Sequence, residues 1–402
     1  MKEIAIIGGG AAGFFTAANL GKDLGRKTAI FEQASSPLQK VRISGGGRCN
    51  VTHACFDPAE LAEFYPRGKK ELISVFHKFQ PGDTMAWFDE RGVQLKIEDD
   101  NRVFPVSDSS LTIIECLLNA AEKNGVEIKY SEGVQKIEKK DEGFLIRTKA
   151  DEYFFKKIIF TPGSSPKAIE MIRNLGHSIV PLVPSLFTFN IKDHRLDGLM
   201  GISFESAEIS IPEIKMDAEG PLLITHWGLS GPGILKLSAW GAVELNRLNY
   251  RFEIRVNFIQ KDIEECIEFL NQIKTEHSKK SVYKLNPFLF PKRFWHRILE
   301  VCEISEDMNW SNLSKKQIQI ISAELTEGVY KVNGKSTFKD EFVTAGGVDL
   351  KEINLKTMES RKILNLFVAG EILNIDAITG GFNFQACWSE GYLISDFLNK
   401  SI

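Results

Sequence analysis

The residues best suited to chemistry in this 402-residue chain are glycines and acids set in a phosphate-binding pattern. Gly8-Gly9-Gly10-Ala11-Ala12-Gly13 matches G-x-G-x-x-G and follows the apolar run Ile4–Ile7. In such a turn Gly8 permits the sharp bend, Gly10 lets a pyrophosphate approach the backbone, and Gly13 lets the next helix lie close on the strand. The helix N-terminus at Ala11 and Ala12 then turns free N–H groups and a positive dipole end toward phosphate. A second apolar run, Thr28–Phe31, ends at Glu32, 19 residues beyond Gly13, with Gln33 beside it. A carboxylate there accepts hydrogen bonds from ribose hydroxyls and disfavours a 2′-phosphate. Strand, turn, helix, strand and acid in this order predict dinucleotide binding.

Glycine placement adds to this. Of 32 glycines, 11 fall in four clusters, at 8–13, 45–47, 346–347 and 380–381. The second lies in Lys40-Val41-Arg42-Ile43-Ser44-Gly45-Gly46-Gly47-Arg48-Cys49-Asn50-Val51-Thr52, a loop able to lie flat against a large planar ligand and its phosphates. This segment resembles the K-x-x-I-S-G-G-G-R-C-N-V-T motif of the BaiN/RdsA-type family of NAD(P)/FAD-dependent oxidoreductases, within the glutathione-reductase-like FAD fold. The likeness continues through Arg102–Ser107, Ile158–Gly163, Leu223–Pro232, Thr344–Val348, Thr357–Ser360, Phe367–Glu371 and Thr379–Gln385. Asn101 and Ser164 stand where the family has glycine, Asn374 where it often has Asp, and Ile378 where it often has Arg. The last two bear on the substrate rather than on FAD. The resemblance implies FAD as cofactor, with Glu371 hydrogen-bonding toward its ribityl or pyrophosphate region. Candidate cofactor contacts are completed by Val134, Thr161, Pro162, Gly163, Gly370, Asp376, Gly380, Gly381, Phe382 and Asn383. The helix opened by Gly380-Gly381 presents an N-terminus suited to negative charge on a reduced flavin ring.

With electron chemistry left to the flavin, side chains need only orient substrate and move protons. His226 is the candidate catalytic residue, placed after a strand and before Gly228–Pro232, which reads as a helix N-terminus; the alternative is a structural histidine. Arg48 suits phosphate or a substrate carboxylate. Cys49 and Cys55 are spaced C-x5-C rather than the C-x4-C of flavin disulfide reductases, so Cys49 reads as a loop residue lining FAD. Gly228–Gly233 is a poor second dinucleotide loop, because Lys236 replaces the third glycine. NAD(P)H is therefore expected to dock transiently rather than in its own domain. His277–Arg297 mixes six Lys/Arg with five aromatics and no acid. It reads as a solvated basic face over an apolar underside, and RNA or membrane binding is the alternative.

These residues require a particular frame. Ile4–Ile7, Thr28–Phe31, Ile158–Phe160 and Leu366–Ala369 are short apolar runs fit for buried parallel strands. Helices are predicted from the glycine turn to about Leu24 and through Gln385 to Leu398, and Val134–Tyr153 alternates as a β-meander. The fold class is α/β, a Rossmann-like FAD-binding domain over 1–191 and 344–402. It is interrupted over 192–343 by a β-barrel-like insert with a helical lobe at about 262–325. In the insert Ile202–Glu205, Ile209–Ile211, Val329–Val332 and Phe342–Val343 read as strands; Asp262–Thr275, Lys292–Glu303 and Ser314–Glu324 read as helices.

Composition agrees: 43% hydrophobic and 26% charged residues exclude a disordered chain, and a net charge of −3 supplies no global field for nucleic acid or anionic lipid. Six cysteines without a C-x-x-C pair read as reduced cytosolic thiols and exclude a zinc framework. Residues 4–20 mimic a signal peptide, but Gly8–Gly10 break the run. No other apolar stretch approaches the roughly 18 residues of a membrane span, so a cytoplasmic protein without nucleic-acid or membrane partners is expected. The expected activity is hydride transfer between flavin and a small organic substrate; the resemblance implies NAD(P)H as donor, hence a reductase, with C=C reduction one option. The alternatives are an amine or aminoketone oxidase using O2 and a flavoprotein acting on RNA.

Overall fold

The apolar runs become the centre of a parallel sheet. The computed structural model describes residues 2–336 and 343–401. In chain order the elements used below begin with β1 (Ile4–Ile7), α1 (Ala11–Asn19), β2 (Thr28–Phe31), α2 (Ser110–Lys123), β3 (Glu127–Lys129) and β4 (Lys157–Phe160). There follow β5 (Thr188–Ile191), β6 (Ser203–Ile211), β7 (Met216–Ile224), β8 (Gly228–Ser230), β9 (Arg251–Asn257), α3 (Ile263–Glu276), α4 (Lys292–Val301), α5 (Lys315–Thr326) and β10 (Gly328–Ser336). The last are β11 (Ile353–Asn354), β12 (Glu359–Ser360), β13 (Leu366–Val368) and α6 (Phe382–Lys400).

Two units divide the chain: Met1–Val183 with Lys339–Ile402, and Pro184–Phe338. The sequence-based boundaries, 191/192 and 343/344, lie a few residues further along. Phe342, read as strand, lies outside the described residues; Val343 opens the strand Val343–Val348.

The first unit holds a seven-stranded sheet in the order β11-β12-β13-β4-β1-β2-β3. β1 pairs in parallel with β2 and β4, β4 with β13, and β2 with β3; the β11 and β12 edge is antiparallel. Every residue of β1 and β2 is buried, as expected of strands covered on both faces. α1 packs between α2 and α6. The fingerprint glycines are sterically obligatory. Gly8 has φ +105°, and a Cβ there would lie 2.3 Å from the Thr161 carbonyl oxygen; one on Gly13 would lie 2.4 Å from the Gly8 oxygen. The helix expected to reach Leu24 ends at Asn19, because Leu20 turns extended and the Gly21 N–H is claimed by Asn399 Oδ1 at 2.8 Å; a short helix, Lys22–Gly25, follows. The meander forms as Lys136–Lys140, Gly143–Arg147 and Glu152–Phe155.

The second unit is a closed antiparallel barrel, β5-β8-β7-β6-β9-β10. Its alternating strands turn Phe189, Ile209, Ile254 and Val256 inward. The helical lobe shares this core: Phe294 of α4 packs at 4.7 Å on Phe204 and 4.9 Å on Phe258. The segment 228–233, weighed above as a dinucleotide loop, is barrel strand β8 followed by a helix, and β8 pairs antiparallel with β5 and β7.

Candidate functional site

The carboxyl edge of the parallel sheet gathers what the sequence scatters. Gly8 follows β1, Glu32 follows β2, Thr161-Pro162-Gly163 follows β4, and Gly370-Glu371 follows shortly after β13. Ligands of open parallel sheets sit outside such strand ends. The Glu32 carboxylate accepts the Gly9 N–H at 2.8 Å and the Ala34 N–H at 2.7 Å, which fixes it beside the turn. Thr161 Oγ1 donates to the Gly8 oxygen at 3.0 Å and ties two strand ends together. Gln33 and Val134 are neighbours in space: the backbone at Ser131 and Glu132 hydrogen-bonds to Ala34 and Glu32, and Gly133 lies against Gln33. Glu371 pairs with Lys40 and accepts the Thr344 N–H at 3.3 Å.

The Ser44–Gly47 loop is a tight turn kinked at Gly45 and Gly46, and Gly45, Gly46 and Gly47 all have positive φ. With its amide oriented to satisfy both ends, Asn50 accepts the Gly381 N–H at 3.1 Å and donates to the Thr52 oxygen at 2.9 Å. The second loop is thus stapled to the start of α6. Asn383 brackets Ala377, donating to its oxygen and accepting its N–H.

Two predicted residues, Arg48 and Asp376, are engaged by partners remote in sequence, and a third, Cys49, is buried. Arg48 donates to Glu98 at 2.6 Å and lies 3.9 Å over the Phe104 ring; the Glu98 hydrogen bond raises its pKa. Cys49 is buried, and burial pushes its thiol up to about 12, away from the thiolate a redox pair needs; Cys49 and Cys55 are both free thiols. Asp376 is fully buried and gripped by the Arg67 guanidinium through Nε, at 2.5 Å, and Nη2.

His53, also unforeseen, stacks on Phe382 at 4.5 Å, and Phe382 stacks on Phe64 at 4.4 Å. His53 Nδ1 is buried without a hydrogen-bond partner among the described residues, and burial lowers the ring's pKa against the pull of Asp100. Glu390 of α6 accepts the Gly370 N–H at 2.6 Å from within the core.

In the second unit His226 occupies the exposed turn between β7 and β8. It lines a pocket of about 370 Å³ with Lys192, Asp193, His194, Asp197 and Thr225. The helix start read over Gly228–Pro232 falls at Pro232 with Gly231 as its N-cap, after Gly228–Ser230 is drawn into the barrel as β8.

A parallel sheet with its glycine turn and strand-end acids on one carboxyl edge, interrupted by an antiparallel barrel, defines a Rossmann-type FAD-binding oxidoreductase fold. The chain belongs to the HI0933-like protein Rossmann domain family, whose profile matches residues 2–396. It is 27% identical to the ribosomal RNA dihydrouridine synthase of Escherichia coli, over 97% of this chain and 96% of that protein. It is equally 27% identical to the 3-dehydro-bile acid delta(4,6)-reductase of Clostridium scindens, over 98% of each. In fold it is similar to a 3-ketosteroid-delta4-(5alpha)-dehydrogenase from Rhodococcus jostii, with TM-score 0.50, 11% identity, and coverage of 98% of this chain and 96% of that one. The family resemblance read from the motifs is borne out. No helix among the described residues is long and apolar enough to cross a membrane.

The residues present fit FAD. A Cβ placed on Gly10, Gly46 or Gly47 would meet no heavy atom within 4 Å, and no side chain caps α1. If Glu32 holds a ribose, Glu32→Ala is expected to weaken flavin retention about tenfold or more, since a charged hydrogen bond contributes about 1.5–3 kcal/mol. Flavin absorbance per protein after gel filtration checks this; an unchanged ratio removes Glu32 from the site.

Proposed function

We propose that this FAD-dependent oxidoreductase is an NAD(P)H-linked reductase of a carbon–carbon double bond conjugated to a carbonyl. The observation that carries the reading is the convergence of the Gly8–Gly13 turn, the Gly45–Gly47 loop and the strand-end acids Glu32 and Glu371 in one unit. The named reactions of the two relatives support the bond class: dihydrouridine arises by saturating a C=C beside a uracil carbonyl, and a delta(4,6)-reductase saturates ring C=C bonds.

Bound FAD supplies two-electron hydride exchange. The chain's own part is positional. The N–H groups opening α1 receive the pyrophosphate, Glu32 the ribose, and the start of α6, held by Asn50 and Asn383, receives negative charge. Lys40 paired with Glu371 sets the acid at the β13 end. His226, exposed in its pocket, is assigned to substrate contact in the insert. The net reaction adds a hydride to the β-carbon and a proton to the α-carbon, while NAD(P)H becomes NAD(P)+.

Anaerobic stopped-flow mixing with NADH and then NADPH tests the reading. Rapid bleaching of the flavin, with colour restored by a simple conjugated enone or by uridine-containing RNA, is expected. No bleaching with either nucleotide, together with H2O2 formed from an amine, would replace it with the oxidase.

A further inference from the structure

We propose that the helical lobe of the insert carries a docking face for structured RNA, centred on Lys279, Lys280 and Lys284. These three line one groove of about 490 Å³ together with Ser281, Leu285 and Asn309, and no acid lines it. Their ammonium groups are exposed and make no ion pair or hydrogen bond among the described residues. Exposed lysines of the other unit such as Lys70 and Lys78 are also unpaired among the described residues, but they stand singly; these three share one acid-free groove.

Two neighbouring helices add a second observation. α4 opens on Lys292-Arg293 and α5 on Lys315-Lys316, and neither has an acid in its first turn. A cation at the positive end of a helix dipole is unfavourable by a few tenths to about 1 kcal/mol. The third helix of the lobe, α3, follows the ordinary rule, with Glu264 and Glu265 in its first turn. α5 starts close to the groove in sequence and space: the Trp310 N–H bonds to the Lys280 oxygen, and the Ser311 N–H to the Ser278 oxygen. Between 274 and 316 the sequence has nine Lys or Arg against five Asp or Glu, whereas the whole chain has 50 against 53. The acids nearest the groove in sequence, Glu276, Glu306 and Asp307, are exposed and outside its lining. An unpaired, dipole-opposed cationic face is stabilised by a polyanion.

The mode follows from what is buried. Phe294 and Trp295 are 1% and 0% exposed, and Phe288 and Phe290 pack against the same core. Phe294 and Trp295 offer no face for base stacking, and the half-buried Tyr283, Phe288 and Phe290 are engaged with the lobe core, so recognition falls mainly to phosphates, with Ser281 and Asn309 offered to ribose 2′-hydroxyls. A lipid surface calls for a row of exposed apolar side chains; within 277–297 only Leu289 is a large exposed one.

Fluorescence anisotropy of the flavin-loaded protein with a labelled uridine-loop RNA hairpin, across a KCl series, tests the face. Binding is expected with a log–log salt slope of about −2 to −4, for three to five phosphates. Lys279→Glu/Lys280→Glu/Lys284→Glu should weaken it at least tenfold and flatten the slope. The milder Gln triple should weaken it less, and Lys351→Glu/Lys356→Glu in the other unit should leave it unchanged. Retained flavin absorbance verifies each fold. No binding at low salt, equal loss in the control, equal affinity for a DNA hairpin of the same sequence, or competition by phosphatidylserine vesicles overturns the proposal. Binding is read without turnover, so it can fail while the reductase reading stands, and the reverse.

Discussion

Arg67→Ala is expected to cost about 3–5 kcal/mol of stability, the loss typical when one partner of a buried ion pair is removed. Asp376 is 0% exposed, and the Arg67 side chain only 14%. The planar guanidinium meets the carboxylate through two donors, and a backbone bridge joins the same two residues. Without the guanidinium, a carboxylate stays in the core with its charged partner gone. Urea unfolding followed by tryptophan fluorescence measures the cost. Arg67→Met/Asp376→Leu should recover much of it, because a well-packed apolar pair of similar volume often matches a buried ion pair. The cycle should show a coupling energy well above 1 kcal/mol; a value near zero would sink the account. Flavin content separates two roles for Asp376. If Asp376 only anchors the loop toward Gly380, the double variant regains flavin with stability. If it touches the cofactor, the double variant is stable and flavin-poor.

Stability should also fall as pH rises from about 5 to about 8, through Glu390. This carboxyl is 1% exposed, and burial pushes its pKa up to about 8 against the stabilising Gly370 N–H. In the unfolded chain the group titrates near its ordinary value of 4.5. Between these values the native state binds more protons than the unfolded state, so its contribution is full below about 4.5, declines as pH rises, and is lost above about 8. At about 1.4 kcal/mol per unit the decline amounts to about 4–5 kcal/mol. Glu390→Gln keeps the shape and removes the titration, so its urea midpoint should stay flat between pH 5 and 9 relative to wild type. Parallel curves for the two proteins would refute the assignment. On the proposal that Gly370 lines the flavin site, flavin retention is expected to fall over the same interval in wild type alone.

Much of the frame was legible along the chain. β1 and β2 fall on the predicted residues because strands buried on both faces are uninterrupted apolar runs, and the barrel announces itself through alternation such as Ile209-Ser210-Ile211. Glu32 stands at the end of β2, where its distance from the glycine turn puts it, because that distance is a repeated structural length. What escaped depends on partners remote in sequence. Arg67 meets Asp376 across 309 residues, and Arg48 meets Glu98 across 50; neither spacing leaves a periodic trace. Glu390 sits in a helix whose pattern only says that its face is buried, not that a backbone N–H awaits it. His226 was correctly placed after a strand. The helix start read over Gly228–Pro232 falls at its far end, Pro232, and the short strand Gly228–Ser230 was missed because Gly-Leu-Ser is too short to declare a strand by itself.

The order of strands in the first sheet has a consequence for synthesis. β4 lies at the middle of the sheet, yet its neighbour β13 is more than 200 residues later; the Lys157–Asn365 side-chain hydrogen bond spans 208. At roughly 5–20 residues per second, a ribosome takes about 10–40 s to cover that distance. Throughout that interval the nascent chain carries β1, β2 and β4 with one parallel edge open, while the barrel, which has its own core, can fold beside it. Gly370-Glu371 and the start of α6, which the proposed reading places against the cofactor, have not yet emerged. The edge closes only when β13 emerges and pairs with β4, so a chain truncated before Leu366 should accumulate preferentially on chaperones.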